Sequence, residues 1–469
     1  HLMNNYVDTL DEKILSQKSI FNILKDLDPH STFIPSNERQ RVNEALIGHF
    51  GGVGIRFMIL RDTLTVVDVI KEGPSSKIGL QKRDRIVEVN NQNIAGIGIT
   101  NNDVLNKLKG EIGSSVKLKI KRANKITFTK NIIRGIIPLK SITAASKIDE
   151  KNGYIKIASF SNSTDSEFSS ALESLLKSGM ENLILDLRFN GGGYLHQAIN
   201  IADEFLSDKK LIVYTEGAHS EKKTYYATKN GGFENGKLAI LVNSGTASAS
   251  EIVSGAIQDH KRGVIVGRRT FGKGLVQQPV LLPDSSELRI TTSRYYTPSG
   301  KCIQKPYGDS IDYDNDIFER LENGELTLTD TLNRELVKKG GIWPDIFSPI
   351  DTSEFNNIVS NITFSRSWRN YCFDFYETHP EKPHENLFEF FENFEINKSI
   401  FIDYFHKNKL NLDLIKNKIL EDLRWGFMLE ICNYYYDDQS RYILSAMKDS
   451  DVKKAIEQLN INKEPRQYL

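Results

Sequence analysis

No stretch of this sequence stays apolar for the ~18 residues that a bilayer-spanning helix needs, so no such helix is expected. Cysteine is scarce: Cys302, Cys372 and Cys432 lie far apart and form no CxxC pair. A disulfide framework and a cysteine-based zinc site are therefore both excluded as organising features. An excess of one charge is missing too. Lys plus Arg and Asp plus Glu each number 61, for a formal net charge of +0. That removes the electrostatic footprint of a nucleic-acid or anionic-membrane binder. Internal repeats and low-complexity tracts are also lacking. What remains is ordinary for a protein with a real core, because 39% of residues are hydrophobic and 26% charged. The length of 469 residues suggests about three domains. The opening His-Leu-Met reads as a cloning remnant, with the natural N-terminus expected ahead of Asn4.

The apolar pattern changes character along the chain. Residues 4–49 read as a helical segment, with Leu10, Ile14, Ile20, Leu24 and Leu27 near helical spacing. Residues 50–134 turn to strands, among them "TLTVVDVI", "RIVEVN" and the alternating "SSVKLKIKR". Residues 135–350 alternate strand with helix, the mark of a layered α/β core, and the acidic polar stretch 308–338 reads as an insertion in it. Residues 351–469 are helical and rich in aromatics, which at helical spacing are expected to form core rather than a ligand box. The expected fold class is a multidomain α+β and α/β protein.

Two stretches carry chemistry. "KLAILVNSGTASASEIVSGAIQDH" reads as strand, tight turn and helix. A serine in such a turn projects from the sheet edge, and the N–H after it faces a developing oxyanion. A hydroxyl needs a base to become a nucleophile. His260 lies three helical turns beyond Ser248, roughly 18 Å along the axis, and is too far. Lys273 of "GRRTFGKGLVQ" follows the strand "GVIVG", which would lie beside "KLAILVN" and bring the next turn close. Desolvation lowers a lysine pKa toward the range of a working base. The same run nearly spells a phosphate-binding loop, but Gly274 stands where the magnesium-binding hydroxyl belongs. "NSG" at Asn243–Gly245 lacks the second glycine of a chymotrypsin-like site, and Ser244 reads as a turn residue.

"GTASASEI", "VGRRTFGKGLVQQ", "PSGKCIQ", "GGIWPDI", "LDPHSTFIP" and "LILDLRFNGGG", in this family's order, resemble the carboxy-terminal processing peptidases, which are Ser–Lys serine proteases. The resemblance spans residues 5 to 348. It implies Ser248 as nucleophile, Lys273 as base, Gln277 as the residue that orients the lysine, and Asp259 as support. It implies an oxyanion hole from the Ala249 N–H and one from the Gly191–Gly193 run, with Gly192 preferred. Residues 50–134 resemble a PDZ domain, in which Gly52, Val53, Gly54 and Ile55 would present N–H groups to a peptide carboxylate, with Lys109 at a basic position. Arg83 and Asn91 depart from its glycines. The implied activity is cleavage of protein or peptide substrates that have a free C-terminus, near that end, without metal or organic cofactor. The resemblance further implies export to the periplasm or cell envelope, and homo-oligomerisation is left open. The competing reading is a non-catalytic PDZ scaffold on an inactive protease core.

Overall fold

The computed structural model describes residues 2–122, 126–308, 313, 315–326, 340–350, 354–396, 398–410, 417–437 and 439–461. Much of the expected insertion 308–338 lies outside the described residues. The chain forms two compact units. One combines His1–Gly48, Lys140–Ile350 and Met447–Leu469; the other combines His49–Leu139 and Asp351–Ala446.

The first unit is built on a six-stranded sheet in the order Ile142–Lys147, Asn152–Ile157, Asn182–Asp186, Lys237–Val242, Val264–Gly267 and Ile346–Phe347. All pairings but the first are parallel. The expected neighbours "KLAILVN" and "GVIVG" do pair, with Ala239 opposite Val264. Parallel strands are buried on both faces, which is why "NLILD" is apolar without alternation. On one face Leu183, Leu185, Leu238, Ile240, Val242 and Ile265 join a core with Phe168 and Leu172, Ile201 and Ala202, and Val253 and Ile257. Those residues come from the helices Thr164–Lys177, Leu195–Asp203 and Ala249–Asp259. The alternate residues Ile184, Asp186, Ala239, Leu241 and Val266 point the other way and are also buried. The chain's last described helix, Ser450–Asn460, covers that face by packing on the three central strands. A second, antiparallel sheet pairs Thr32–Ile34 and Leu211–Gly217 with Glu287–Tyr296, which also forms a hairpin with Leu275–Leu281.

The second unit holds a five-strand antiparallel path, Ile55–Leu60, Thr63–Val69, Arg85–Val89, Ser115–Arg122 and Ile126–Ile133, with Gln92–Asn93 beside the third. Its core gathers Leu64, Val66, Ile86, Val104, Val116 and Leu118. The helix Asn101–Leu108 is opened by a Thr100–Asp103 capping box. The two departures from the PDZ pattern keep the geometry of the glycines they replace. Arg83 has φ 73, and Asn90 and Asn91 have φ 50 and 63, left-handed values that asparagine tolerates well.

The helices between 354 and 446 surround Trp368, which stacks on Phe401 at 5.9 Å and meets Tyr404 and Phe427 edge-on. These aromatics are core, as expected. The same helices lie against the strands of this unit. The Tyr434 hydroxyl is 3.6 Å from the Met58 sulfur, and Arg83 donates to the Glu377 carbonyl at 2.9 Å. Its guanidinium also lies over the Tyr376 ring. Residues 351–469 therefore do not form the single helical domain expected from the sequence. The part before 447 joins the strands of the second unit, and the helix Ser450–Asn460 joins the first.

Candidate active site

The turn after the strand Lys237–Val242 answers to its many hydroxyls one at a time. Thr246 Oγ1 accepts from the Asn243 N–H at 2.9 Å and donates to the Leu187 carbonyl at 2.9 Å. Ser250 Oγ donates to the Asn190 carbonyl at 3.0 Å, and Ser254 Oγ to the Ser250 carbonyl at 2.9 Å. All three are buried and serve the backbone. Ser248 stays partly exposed. It has φ 56 and ψ −116 at the mouth of the helix Ala249–Asp259, a strained conformation for a residue with a Cβ.

Glycine is required opposite it. A Cβ on Gly192, whose φ is 98, would lie 2.8 Å from the Ser248 Cβ. The Gly192 N–H, however, donates to Asn190 Oδ1 at 2.9 Å. The preferred oxyanion donor is thus already engaged, and Gly192 contributes close approach instead. The N–H groups of Ala249 and of neighbouring Gly191 have no partner among the described residues.

Lys273 is brought to the same place by a carboxylate that the sequence reading passed over. Glu251 is fully buried. Its Oε2 accepts from the Ser248 N–H at 2.8 Å and the Lys273 N–H at 2.9 Å. Its Oε1 accepts from the Gly272 N–H at 2.8 Å and from the Thr270 hydroxyl. One side chain therefore ties the nucleophile turn to the base turn. The Tyr295 hydroxyl adds a second tie, 3.1 Å from the Ser248 carbonyl and 2.6 Å from that of Lys273. Burial pushes the Glu251 carboxyl up to about 7, against the pull of those donors. A signal was available: a Glu three residues after a helix-opening serine is the position that reaches back to the helix start.

Burial lowers the Lys273 pKa, and the charge of Arg289 lowers it further, while Asp28 and Glu251 oppose the shift. Its Nζ donates to Gln277 Oε1 at 3.1 Å. No hydrogen bond joins it to the Ser248 hydroxyl among the described residues. The Gln277 amide in turn donates to the His30 carbonyl, which roots the expected orienting role in "LDPHS". Asp28 fixes that segment through the N–H groups of His30 and Ser31, at 2.8 and 2.9 Å. Burial and the Lys273 charge lower the His30 pKa to about 4, so its ring is neutral near pH 7.

Two further residues lie elsewhere. Asp259, at the far end of its helix, accepts from the Ser299 N–H at 2.8 Å and has no hydrogen bond to Ser248 or Lys273 among the described residues. It holds the "TPSG" turn rather than supporting the base. The ring of His260 is 2.7 Å from the Leu211 carbonyl, consistent with its exclusion as a base.

In the second unit, Gly52 ends the strand His49–Gly52, and Gly54 has φ 79. The N–H groups of Val53 and Gly54 have no partner among the described residues. Ile55 opens the strand Ile55–Leu60, which is the edge of its sheet. An edge strand beside free N–H groups is the form that accepts an added peptide strand. The Lys109 ammonium lies over the Phe50 ring at 4.1 Å.

Residues 151–316 match peptidase family S41, and residues 65–122 match the PDZ domain. A carboxy-terminal-processing protease of Bartonella bacilliformis is 35% identical over 306 residues, 64% of this chain and 69% of that protein. The carboxy-terminal processing protease CtpB of Bacillus subtilis is 32% identical over 308 residues, 65% of this chain and 64% of that one. The solved photosystem II D1 C-terminal processing protease aligns at TM-score 0.42 and 27% identity, covering 73% of this chain and 84% of its own. Among the described residues, no helix is long and apolar enough to cross a membrane. With relatives this similar over most of their length, the chain belongs to peptidase family S41, as a carboxy-terminal processing serine protease with a PDZ domain.

Proposed function

We propose that this chain cleaves peptide bonds near the C-terminus of protein substrates, with Ser248 as nucleophile and Lys273 as general base. The observation that carries this reading is the Glu251 clamp, one carboxylate oxygen accepting from the N–H groups of both residues. Neutral Lys273 takes the Ser248 proton as Oγ bonds to the scissile carbonyl carbon. The carbonyl electron pair moves onto oxygen, where the Ala249 N–H and an N–H of the Gly191–Gly193 run stabilise it. Collapse breaks the C–N bond, and the leaving nitrogen takes the proton from Lys273. Water then gives a proton to the same lysine as it attacks the acyl carbon, and collapse breaks the C–Oγ bond while Oγ takes that proton from Lys273, which restores both residues and releases the acid. Gln277 orients the ammonium between these steps. Hydrogen bonds of this kind often form fully only when substrate binds, which fits a pair that shows no Nζ–Oγ hydrogen bond among the described residues.

The PDZ-bearing unit would hold the free carboxylate of the substrate at Val53 and Gly54 and gate turnover. Work on exported proteins in the periplasm or envelope fits the family resemblance. The test is a pair of variants assayed on unfolded protein. Ser248→Ala should lower cleavage by at least about a thousand-fold with an unchanged melting temperature. Lys273→Arg should be equally inactive, since a guanidinium keeps its proton. Substantial turnover by either variant removes the assignment.

A further inference from the structure

Behind the sheet, on the face away from the helix that Ser248 opens, lies a cluster of charges that the mechanism does not use. Arg188 follows the strand Asn182–Asp186, and the Gly191–Gly193 run begins three residues later. Arg268 follows the strand Val264–Gly267 and leads into the loop that ends at Lys273. Both arginines turn to the start of the helix Ser450–Asn460. Arg188 Nη1 donates to both oxygens of Asp449 at 3.0 and 2.9 Å, and to Asp451 Oδ2 at 2.8 Å. Arg268 donates to both oxygens of Asp451, at 3.2 and 2.9 Å, and to the Ser348 carbonyl at 2.7 Å.

Other groups anchor the cluster from the sides. Asp186 receives Arg188 Nε at 3.0 Å and Nη2 at 2.8 Å, with the Tyr154 hydroxyl at 2.7 Å. Asp449 also caps its helix, accepting from the N–H groups of Asp451 and Val452 at 2.8 and 3.1 Å. Asp451 is 2% exposed, so its bonds to Arg188 and Arg268 form largely out of water, where an unpaired charge is costly.

We propose that Asp449 and Asp451 are positioning residues for catalysis. Through Arg188 and Arg268 they brace, from the helix Ser450–Asn460, the two loops that carry the oxyanion donors and the base. Removing the brace leaves Ser248 and Lys273 in place but lets the loops drift from the transition-state geometry, which shows in kcat rather than in KM. The proposal rests on the Ser248–Lys273 reading given above.

The test measures kcat, KM and melting temperature for full-length variants on a chromogenic peptide, with Ser248→Ala alongside. Asp451→Asn should lower kcat by about ten-fold with KM changed less than about two-fold. Asp449→Asn, which keeps a capable cap and removes only charge, should lower kcat in the same direction by a smaller factor. Because Asp451→Asn also unpairs buried charge, the double variant Asp451→Leu/Arg268→Met separates the two effects. Replacing the pair by apolar groups should restore the melting temperature while kcat stays low. If kcat returns together with stability, or if Asp451→Asn turns over like the parent, the brace is refuted. Activity retained by Ser248→Ala would refute the underlying site, an outcome distinct from failure of the brace alone.

Discussion

At the residue scale, the site turns on how burial tunes two groups of opposite sign, the buried Glu251 and the partly buried Lys273. Glu251 is held by four donors and still has its carboxyl raised to about 7 by burial. Lys273 is lowered by burial and by Arg289. Each shift favours the neutral form, and for the lysine that is the form able to accept a proton. Activity should therefore rise with pH through an apparent pKa below that of an ordinary lysine. Arg289 gives a handle on that value from outside the Ser248–Lys273 pair. Its guanidinium bonds to Glu287 Oε1 at 2.8 Å and Asn43 Oδ1 at 2.6 Å, away from the Lys273 ammonium. In Arg289→Gln a repelling positive charge is lost, the ammonium is penalised less, and the pKa rises. The half-maximal point of the kcat–pH profile should then move to higher pH, by a fraction of a unit to about one unit. A profile that stays put, or moves to lower pH, would show that Arg289 does not act on the base.

At the element scale, the sequence made the strands and the Ser248 turn readable, because apolar runs bounded by small residues have few other meanings. It made the placement of helices far less readable. "NLILD" and "KLAILV" are apolar on both faces, so they demanded cover on both, yet nothing local says which helix supplies the second layer. The supplier is Ser450–Asn460, separated by the whole aromatic segment, and its period resembles that of its neighbours. Glu251 escaped notice for a related reason. An acidic residue in a helix's first turn is common at the surface, and only tertiary burial turns it into a clamp. The Asn190 side chain, which accepts from the N–H of Gly192, the expected oxyanion donor, was equally out of reach of a local reading. The second layer also predicts an energetic cost. Leu459 is 3% exposed near the end of that helix. Leu459→Ala should destabilise the first unit by about 2–5 kcal/mol, as for other buried leucines, measured by denaturant unfolding followed through loss of activity. A change within ±0.5 kcal/mol would mean that the helix is not an integral layer.

At the scale of the whole molecule, the candidate catalytic pair and the candidate peptide-binding edge fall in different units. The Ser248–Lys273 pair lies wholly in the first unit, and the edge strand Ile55–Leu60 with its glycine-rich loop lies wholly in the second. Deleting residues 50–134 would be a poor test of that division, because the helices between 354 and 446 pack on those same strands. A single residue serves better. At Gly54 the φ of 79 strains any other residue, and a Cβ would meet Ile137 Cδ1 at 3.2 Å and Pro74 Cδ at 3.3 Å. Gly54→Ala should therefore distort the loop that presents the Val53 and Gly54 N–H groups. If those groups hold a terminal carboxylate, the charge-assisted hydrogen bonds contribute about 1.5–3 kcal/mol. One peptide sequence, offered as the free acid and as the amide, should then differ by about ten-fold or more in kcat/KM, with the acid faster. The preference should shrink toward unity in Gly54→Ala, because the acid alone loses its partner. Acid and amide cleaved equally fast by the unaltered protein would take carboxylate reading away from the second unit. A strong preference that survives Gly54→Ala would place that reading on other residues.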